Sequence, residues 1–348
     1  MNFASDNWAG AHPDILAAVN RANEGAAPSY GGDQATKRVE KKFSEIFERE
    51  VAVFLVATGT AANGLALATI APPYGAILCH EESHIHMDEC AAPEFFMGGG
   101  KLIPIKSANA KLTPESVETA LRGYSRWRPH GAPASAVSLS QATECGTLYA
   151  ADEMRALADF AHGAGMKVHV DGARFANAII ASGKSPAELS WKAGVDVLSF
   201  GGSKNGCLAA EAVIFFDPAG AADFDYRRKR AGHLWSKSRF LAAQFDAYFA
   251  NGRWLTLAAH SNAMARRLAD GLRRAGVDIG YEQKINAVFP IFEPAVADRL
   301  TSAGAAFYPW VTLGDWTGGK LYRLLCSWAT RESDVDAFIA AVELARGR

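Results

Sequence analysis

The feature that most constrains this chain is an alternation. Between residues 51 and 216, short apolar runs take turns with amphipathic helical stretches. The runs at 51–56, 76–79, 102–105, 136–140, 167–170, 195–200 and 212–216 are strand-length and rich in β-branched and aromatic residues. Between them lie helix signals, such as Thr113 as N-cap ahead of Pro114, and a 151–162 stretch closing at Gly163. Such alternation predicts an α/β fold with a mostly parallel, seven-stranded sheet covered by helices on both faces.

Past Phe216 the period lengthens into helices at 235–249 and 255–275, the second stopped by Gly276. A strand at 287–292, a helix at 295–303, a strand at 321–327 and a helix at 332–345 follow. A chain of 348 residues suits one large domain and one small one. The expected division is a large domain over 1–250 and a small C-terminal α+β domain over 251–348.

A net charge of −1 provides no broad field for nucleic acid or anionic lipid, so a small neutral or zwitterionic substrate is the expected partner. The five cysteines, at 79, 90, 145, 207 and 326, are odd in number and lack the paired spacing of zinc sites or redox dithiols. They read as reduced thiols. The start, with Asp6 close behind Met1, has neither a basic leader nor an apolar run, which predicts a cytoplasmic protein without a membrane span.

Five stretches carry chemistry. In 195–206 an apolar strand runs into Gly201-Gly202-Ser203-Lys204, placing a lysine at a strand's carboxyl end, where ligands of open α/β sheets collect. Lys204 is either a desolvated amine able to form an imine or a solvated loop lysine. The preceding strand ends in Asp171-Gly172-Ala173-Arg174. Asp171 is either a carboxylate for a cofactor's ring nitrogen or the N-cap of the next helix. Thr58-Gly59-Thr60 turns a strand into a helix, a geometry that offers N–H groups to phosphate but also recurs as an ordinary turn.

His84, in Glu82-Ser83-His84-Ile85-His86-Met87-Asp88-Glu89, follows another strand and could stack on a cofactor ring, with Asp88 or Glu89 orienting it. The alternatives are a polar surface loop or a His84–His86 metal pair, which lacks an evident third ligand; no metal is expected. Arg323 interrupts the apolar stretch 321–328, and a guanidinium buried there needs a carboxylate, from a substrate or from an internal Asp or Glu.

The order of these stretches resembles the fold type I pyridoxal-phosphate-dependent transferase fold. Ser5-Asp6-Asn7, Tyr30-Gly31-Gly32-Asp33, Thr58–Asn63, His169–Arg174 and Ser203-Lys204 are similar to the threonine aldolase family over nearly the whole chain. That resemblance implies pyridoxal 5'-phosphate as cofactor, Lys204 as its Schiff-base lysine, Asp171 as ring-nitrogen partner and His84 as the stacked catalytic residue. It implies Thr58, Gly59 and Thr60 at the phosphate, Arg174 beside the cofactor, and Ser5, Arg174 and Arg323 at the substrate carboxylate, with Tyr30 also on the substrate side. Homotetramers built from dimers are implied as well, with Lys229 of the basic stretch 228–230 reaching a neighbour's phosphate.

One departure stands out. Where many members carry a histidine before Asn-Gly, this chain has Thr143-Glu144-Cys145-Gly146, which puts Glu144 at the substrate side chain. A low-specificity bacterial subgroup, including enzymes acting on phenylserine, is similar here and shares Ala91–Phe96 and Phe200-Gly201-Gly202. The implied activity is cleavage of L-threonine, L-allo-threonine or a phenylserine to glycine and an aldehyde. His84, His86, Glu89, Glu144 or water is the base. Alternatives are another α-carbon reaction, such as β-elimination or racemisation, or a cofactor-free scaffold.

Overall fold

The computed structural model describes residues 1–124, 129–310 and 316–347. Strands β1 (Ala52–Val56), β2 (Ala76–His80), β3 (Lys101–Ile105), β4 (Ala134–Ser140), β5 (Lys167–Gly172), β6 (Val197–Gly201) and β7 (Glu211–Phe215) form one sheet in the order β1-β7-β6-β5-β4-β2-β3. The pairs from β3 through β6 are parallel, and β7 is antiparallel to both β6 and β1. The mostly parallel α/β sheet expected from the alternation is therefore present. The reversal at β7 has a simple cause: the link 202–210 is shorter than the dozen or so residues a parallel crossover takes. That short link carries Lys204.

The helix Gly59–Ile70 lies against the sheet with residues 61–68 all buried, which explains why it has no polar stripe. The opposite face carries an aromatic cluster in which Phe43, Phe200, Phe245, Phe249 and Trp254 meet mostly at edge-to-face and tilted angles, with Phe245 and Phe249 stacked.

A second core follows. Strand β11 (Lys320–Leu325) pairs antiparallel with β8 (Ala287–Val288), β9 (Ile291–Phe292) and β10 (Tyr308–Pro309). The single strand expected at 287–292 is two short ones, because Pro290 between them has no N–H to donate to a ladder. The helix expected from 235 starts at Arg239. The left-handed glycine after the helix Ala151–Gly163 is Gly165, not Gly163, which is still helical.

Helix Arg253–Arg274 joins the two cores, packing on Phe175–Ser182 and on Glu332–Ala345. The chain's start is stitched into the second core: Phe3 donates to Ala306 O at 2.9 Å and accepts from Leu325 N at 2.8 Å. Residues 5–8 then run back toward the large sheet, a path that local sequence patterns do not show.

Gly201, ending β6, is forced by close approach. A Cβ there would lie 2.6 Å from Ala173 O and 2.8 Å from Ala173 Cα, atoms of the turn just after Asp171. Gly201→Ala is expected to cost about 1–3 kcal/mol of stability as an overpacking change. Gly163→Ala, with nothing within 4 Å of its added Cβ, is expected to stabilise the protein, by about 0.5–1 kcal/mol. Urea denaturation of both variants checks the contrast, and equal midpoints would refute it.

Candidate active site

The carboxyl ends of β2, β4, β5 and β6 open into one cavity of about 290 Å³, closed on the far side by residues 5–7 and by the second core. It is built around Asp171, whose side chain is buried near the end of β5. Oδ2 accepts from Asn63 Nδ2 at 2.9 Å and Oδ1 from Ala173 N at 2.9 Å. Burial pushes this carboxyl up, but His84, Lys204 and the Ala173 N–H outweigh it and hold Asp171 below the usual carboxylate range. The N-cap position of the next helix belongs to Arg174, so Asp171 is not its cap.

Asn63 donates also to Glu89 Oε1 at 2.8 Å, and His84 Nδ1 lies 2.8 Å from that same oxygen. Of the two carboxylates considered for orienting His84, it is Glu89 that touches it, while Asp88 is exposed at the cavity's edge. The Glu89 hydrogen bond pushes the His84 imidazole up against the opposing effect of burial. His86 is exposed and does not line the cavity. Ligand atoms of His84, Glu89 and Asp171 lie within 4.8 Å of one another, but the facing oxygens of both carboxylates already accept from Asn63.

Lys204 sits in the 3-10 turn Ser203–Asn205. Gly202 N donates to Ala210 O, and Asn205 Nδ2 donates to Tyr248 Oη at 2.7 Å and Trp254 O at 2.8 Å. Burial lowers the Lys204 pKa, and the charge of Arg174 adds to the effect. An amine so placed is a nucleophile at lower pH than a solvated lysine. Beneath the turn, Glu211 accepts from Gly202 N and Ser203 N, each at 3.3 Å. Burial pushes Glu211 up to about 7, against the opposing hydrogen bonds and Lys204 charge. The sequence reading passed over Glu211. Its signal, a lone charge heading the apolar run Ala212–Phe215, is the one that exposed Arg323.

The two arginines differ. Arg174 is held by Asp6 through Nε–Oδ2 at 2.7 Å and Nη2–Oδ1 at 3.1 Å, and Asn286 donates to the same Asp6 at 3.1 Å. Asp6, also passed over, is buried, yet Arg174 and Lys204 hold its pKa down against that burial. Arg323, in β11, pairs with no Asp or Glu among the described residues, and its buried Nε has no hydrogen-bond partner. Burial, then repulsion from Arg174, pushes its pKa down to about 10. Glu144 Oε1 accepts from His84 N at 3.0 Å and Ser140 Oγ at 2.7 Å, while its Oε2 is buried without a partner. Burial pushes Glu144 up to about 7.

Ser5, Gly59, His84, Glu144, Asp171, Arg174, Lys204 and Arg323 thus share one cavity. Thr58 caps the helix Gly59–Ile70, its Oγ1 accepting from Ala61 N at 3.2 Å, and Thr60 begins the same turn. Tyr30 and Lys229 lie outside this cavity but against each other, with Lys229 Nζ 4.6 Å from the Tyr30 ring centroid. The fit to pyridoxal phosphate rests on the donor set: an ionised buried carboxylate, an amine of lowered basicity, an imidazole, a helix start with Gly59 open to the cavity, and a guanidinium without an acidic partner.

A model of the beta-eliminating lyase family matches residues 2–294. A low specificity L-threonine aldolase from a Pseudomonas species is 42% identical over 98% of this chain and 97% of its own. The low specificity L-threonine aldolase of Pseudomonas aeruginosa is 43% identical, with 100% and 98% covered. The solved Leishmania major threonine aldolase superposes with a TM-score of 0.92 at 27% identity, covering 99% of both chains. The chain belongs to the beta-eliminating lyase family, and within it to the branch of the low specificity L-threonine aldolases.

The raised Glu211 pKa makes a signed prediction. A carboxyl whose folded-state pKa is about 7 favours folding below its unfolded value and loses that contribution as pH rises toward 7. Glu211→Gln removes a slope of up to about 1.4 kcal/mol per pH unit over that window. Unfolding free energies measured between pH 5 and 7.5 should therefore fall less steeply in the variant; parallel curves would contradict the assignment.

Proposed function

We propose that the protein is a pyridoxal-5'-phosphate-dependent aldolase cleaving L-threonine, L-allo-threonine and related β-hydroxy-α-amino acids, phenylserine included, to glycine and an aldehyde. The observation that carries this reading is the meeting of Lys204 and Asp171 in one cavity with Arg323, a guanidinium that no carboxylate among the described residues neutralises. The relatives' activity supports it.

When bound, the cofactor supplies an electron sink for the breaking Cα–Cβ bond. Lys204 would hold it through the side-chain amine, at the place the substrate's amine would take. Asp171, held below the usual carboxylate range by His84, Lys204 and the Ala173 N–H, would keep a proton on the ring nitrogen. Thr58, Gly59 and Thr60 take the phosphate at the helix start. Arg323 receives the substrate carboxylate, with Arg174 and Ser5 beside it. His84, oriented by Glu89, would lie over the ring and accept the β-hydroxyl proton directly or through a water, and Glu144 would face the substrate's side chain. The aldehyde leaves as that proton departs, and protonation at Cα gives glycine.

The exposed Tyr30–Lys229 pair sits outside its own chain's cavity, which supports a site completed by a neighbouring subunit, Lys229 reaching the neighbour's phosphate, in a homotetramer built from dimers. Residues 1–250 would form the cofactor-binding unit and 251–348 the smaller one. Among the described residues no helix is long and apolar enough to cross a membrane, and the cytoplasm is the proposed location.

The test is incubation of the protein and pyridoxal phosphate with L-threonine, L-allo-threonine and L-phenylserine. Equal glycine and aldehyde, abolished in Lys204→Ala, is the expected outcome. A keto acid with ammonia would instead assign β-elimination, an inverted α-carbon a racemase, and no cofactor absorbance a scaffold. Mixing inactive Lys204→Ala and Lys229→Ala subunits should restore roughly a quarter of wild-type activity if sites are shared across a two-fold interface. No recovery would place Lys229 outside the partner's site.

A further inference from the structure

One wall of the cavity is Trp310, a residue given no role above. Its backbone N–H donates to Leu321 O at 2.9 Å, which fixes it beside β11. The Arg323 guanidinium carbon lies 3.8 Å from its ring centroid. Its indole Nε1 donates to the backbone carbonyl of Glu144 at 3.1 Å. Phe289 flanks it, ring centroids 6.5 Å apart, and packs so closely on the Glu144 loop that a Cβ on Gly146 would meet Phe289 Cε2 at 2.9 Å.

These contacts join two parts of the site that belong to different cores: the arginine on β11 and the loop after β4 that carries Glu144. They also explain how Arg323 is held without an acidic partner. An arginine stacked on an aromatic face keeps its N–H groups in the ring-parallel plane, with the edge free for bidentate hydrogen bonds. Arg174 has surrendered its Nε and one Nη to Asp6, whereas the Arg323 Nε is unspent. A free arginine side chain also loses rotamer freedom on binding, part of which the platform removes before any ligand arrives.

We infer that Trp310 is the positioning residue for the substrate carboxylate. It carries Arg323 on its indole face so that the guanidinium edge meets the carboxylate, and it ties that arginine through Nε1 to the Glu144 loop. The inference rests on the proposed reading of Arg323 as the carboxylate anchor.

The experiment compares wild-type holoenzyme with Trp310→Leu, Trp310→Met and Trp310→Phe. Binding of glycine and of glycinamide, which lacks the carboxylate, is followed through the cofactor's visible absorbance, and KM and kcat are measured for L-threonine. Loss of the aromatic face should weaken glycine binding about tenfold and raise KM by a similar factor, as for a desolvated cation–π contact, with kcat changed far less. Glycinamide should bind all four proteins alike. Trp310→Phe, which keeps a ring but loses the Nε1 bond, should recover most of the glycine affinity. Two non-aromatic variants guard against one failing to fold. Equal weakening for glycine and glycinamide, or a phenylalanine variant as poor as the leucine one, would overturn the inference. Intact glycine binding with no aldehyde from any substrate would overturn the aldolase reading and leave this one standing.

Discussion

The site depends on one amide. Asn63 Nδ2 has two hydrogens, and it spends one on Asp171 and the other on Glu89. Two buried carboxylates that close would otherwise repel each other, and desolvation would drive at least one toward its neutral form. The shared donor fixes the two carboxylates side by side and leaves Glu89 placed to hold His84 at 2.8 Å, while His84, Lys204 and the Ala173 N–H hold Asp171 below the usual carboxylate range. Asn63 stands in the first turns of the helix Gly59–Ile70, whose N-terminus opens on the same cavity. The helix start, the buried acid and the imidazole are thus set by a single element packed against the sheet.

A second constraint is closure from a distance. The chain's first residues pair with the second core at Ala306 and Leu325, and this path delivers Asp6 to Arg174 and Ser5 to the cavity wall. A bidentate buried pair of this kind is costly to break, because one charge is then left alone in a low-dielectric interior. With Arg174 committed to Asp6, the division of labour between the two arginines follows: one braces the structure, the other stays open. The chain's first residues and the second core thus wall the cavity together.

Three carboxyls near the reacting centre illustrate how environment sorts identical chemistry. Asp171 is held down by nearby positive charge and donors, while burial pushes Glu144 and Glu211 up to about 7. Glu211 clamps the Lys204 turn from below, and Glu144 joins the backbone of His84 to Ser140. Groups titrating near neutrality beside the lysine turn and the His84 loop make the arrangement sensitive to pH around 7.

Much of this was legible in the order of residues. Period and length alone separated the seven strands from the helices, and a charged residue at the end of an apolar strand marked Asp171 and Lys204 and one inside an apolar strand marked Arg323, because burying a charge is expensive unless it has a task. Local signals were misread at Pro290, which splits a strand, and at Gly165, which takes the left-handed place expected of Gly163; Glu211 under the Lys204 turn was passed over, and a remote contact hid Asp6 as the partner of Arg174. By itself, the sequence determined the α/β architecture and the types of group available at the strand ends, since both follow from short-range periodicity and desolvation. Only the tertiary structure decided which arginine is spoken for, which carboxylate grips His84, and that Tyr30 and Lys229 lie against each other outside their own chain's cavity. Those choices depend on distances between residues as remote in the chain as Asp6 and Arg174, 168 positions apart, or Tyr30 and Lys229, farther still, which no local pattern encodes.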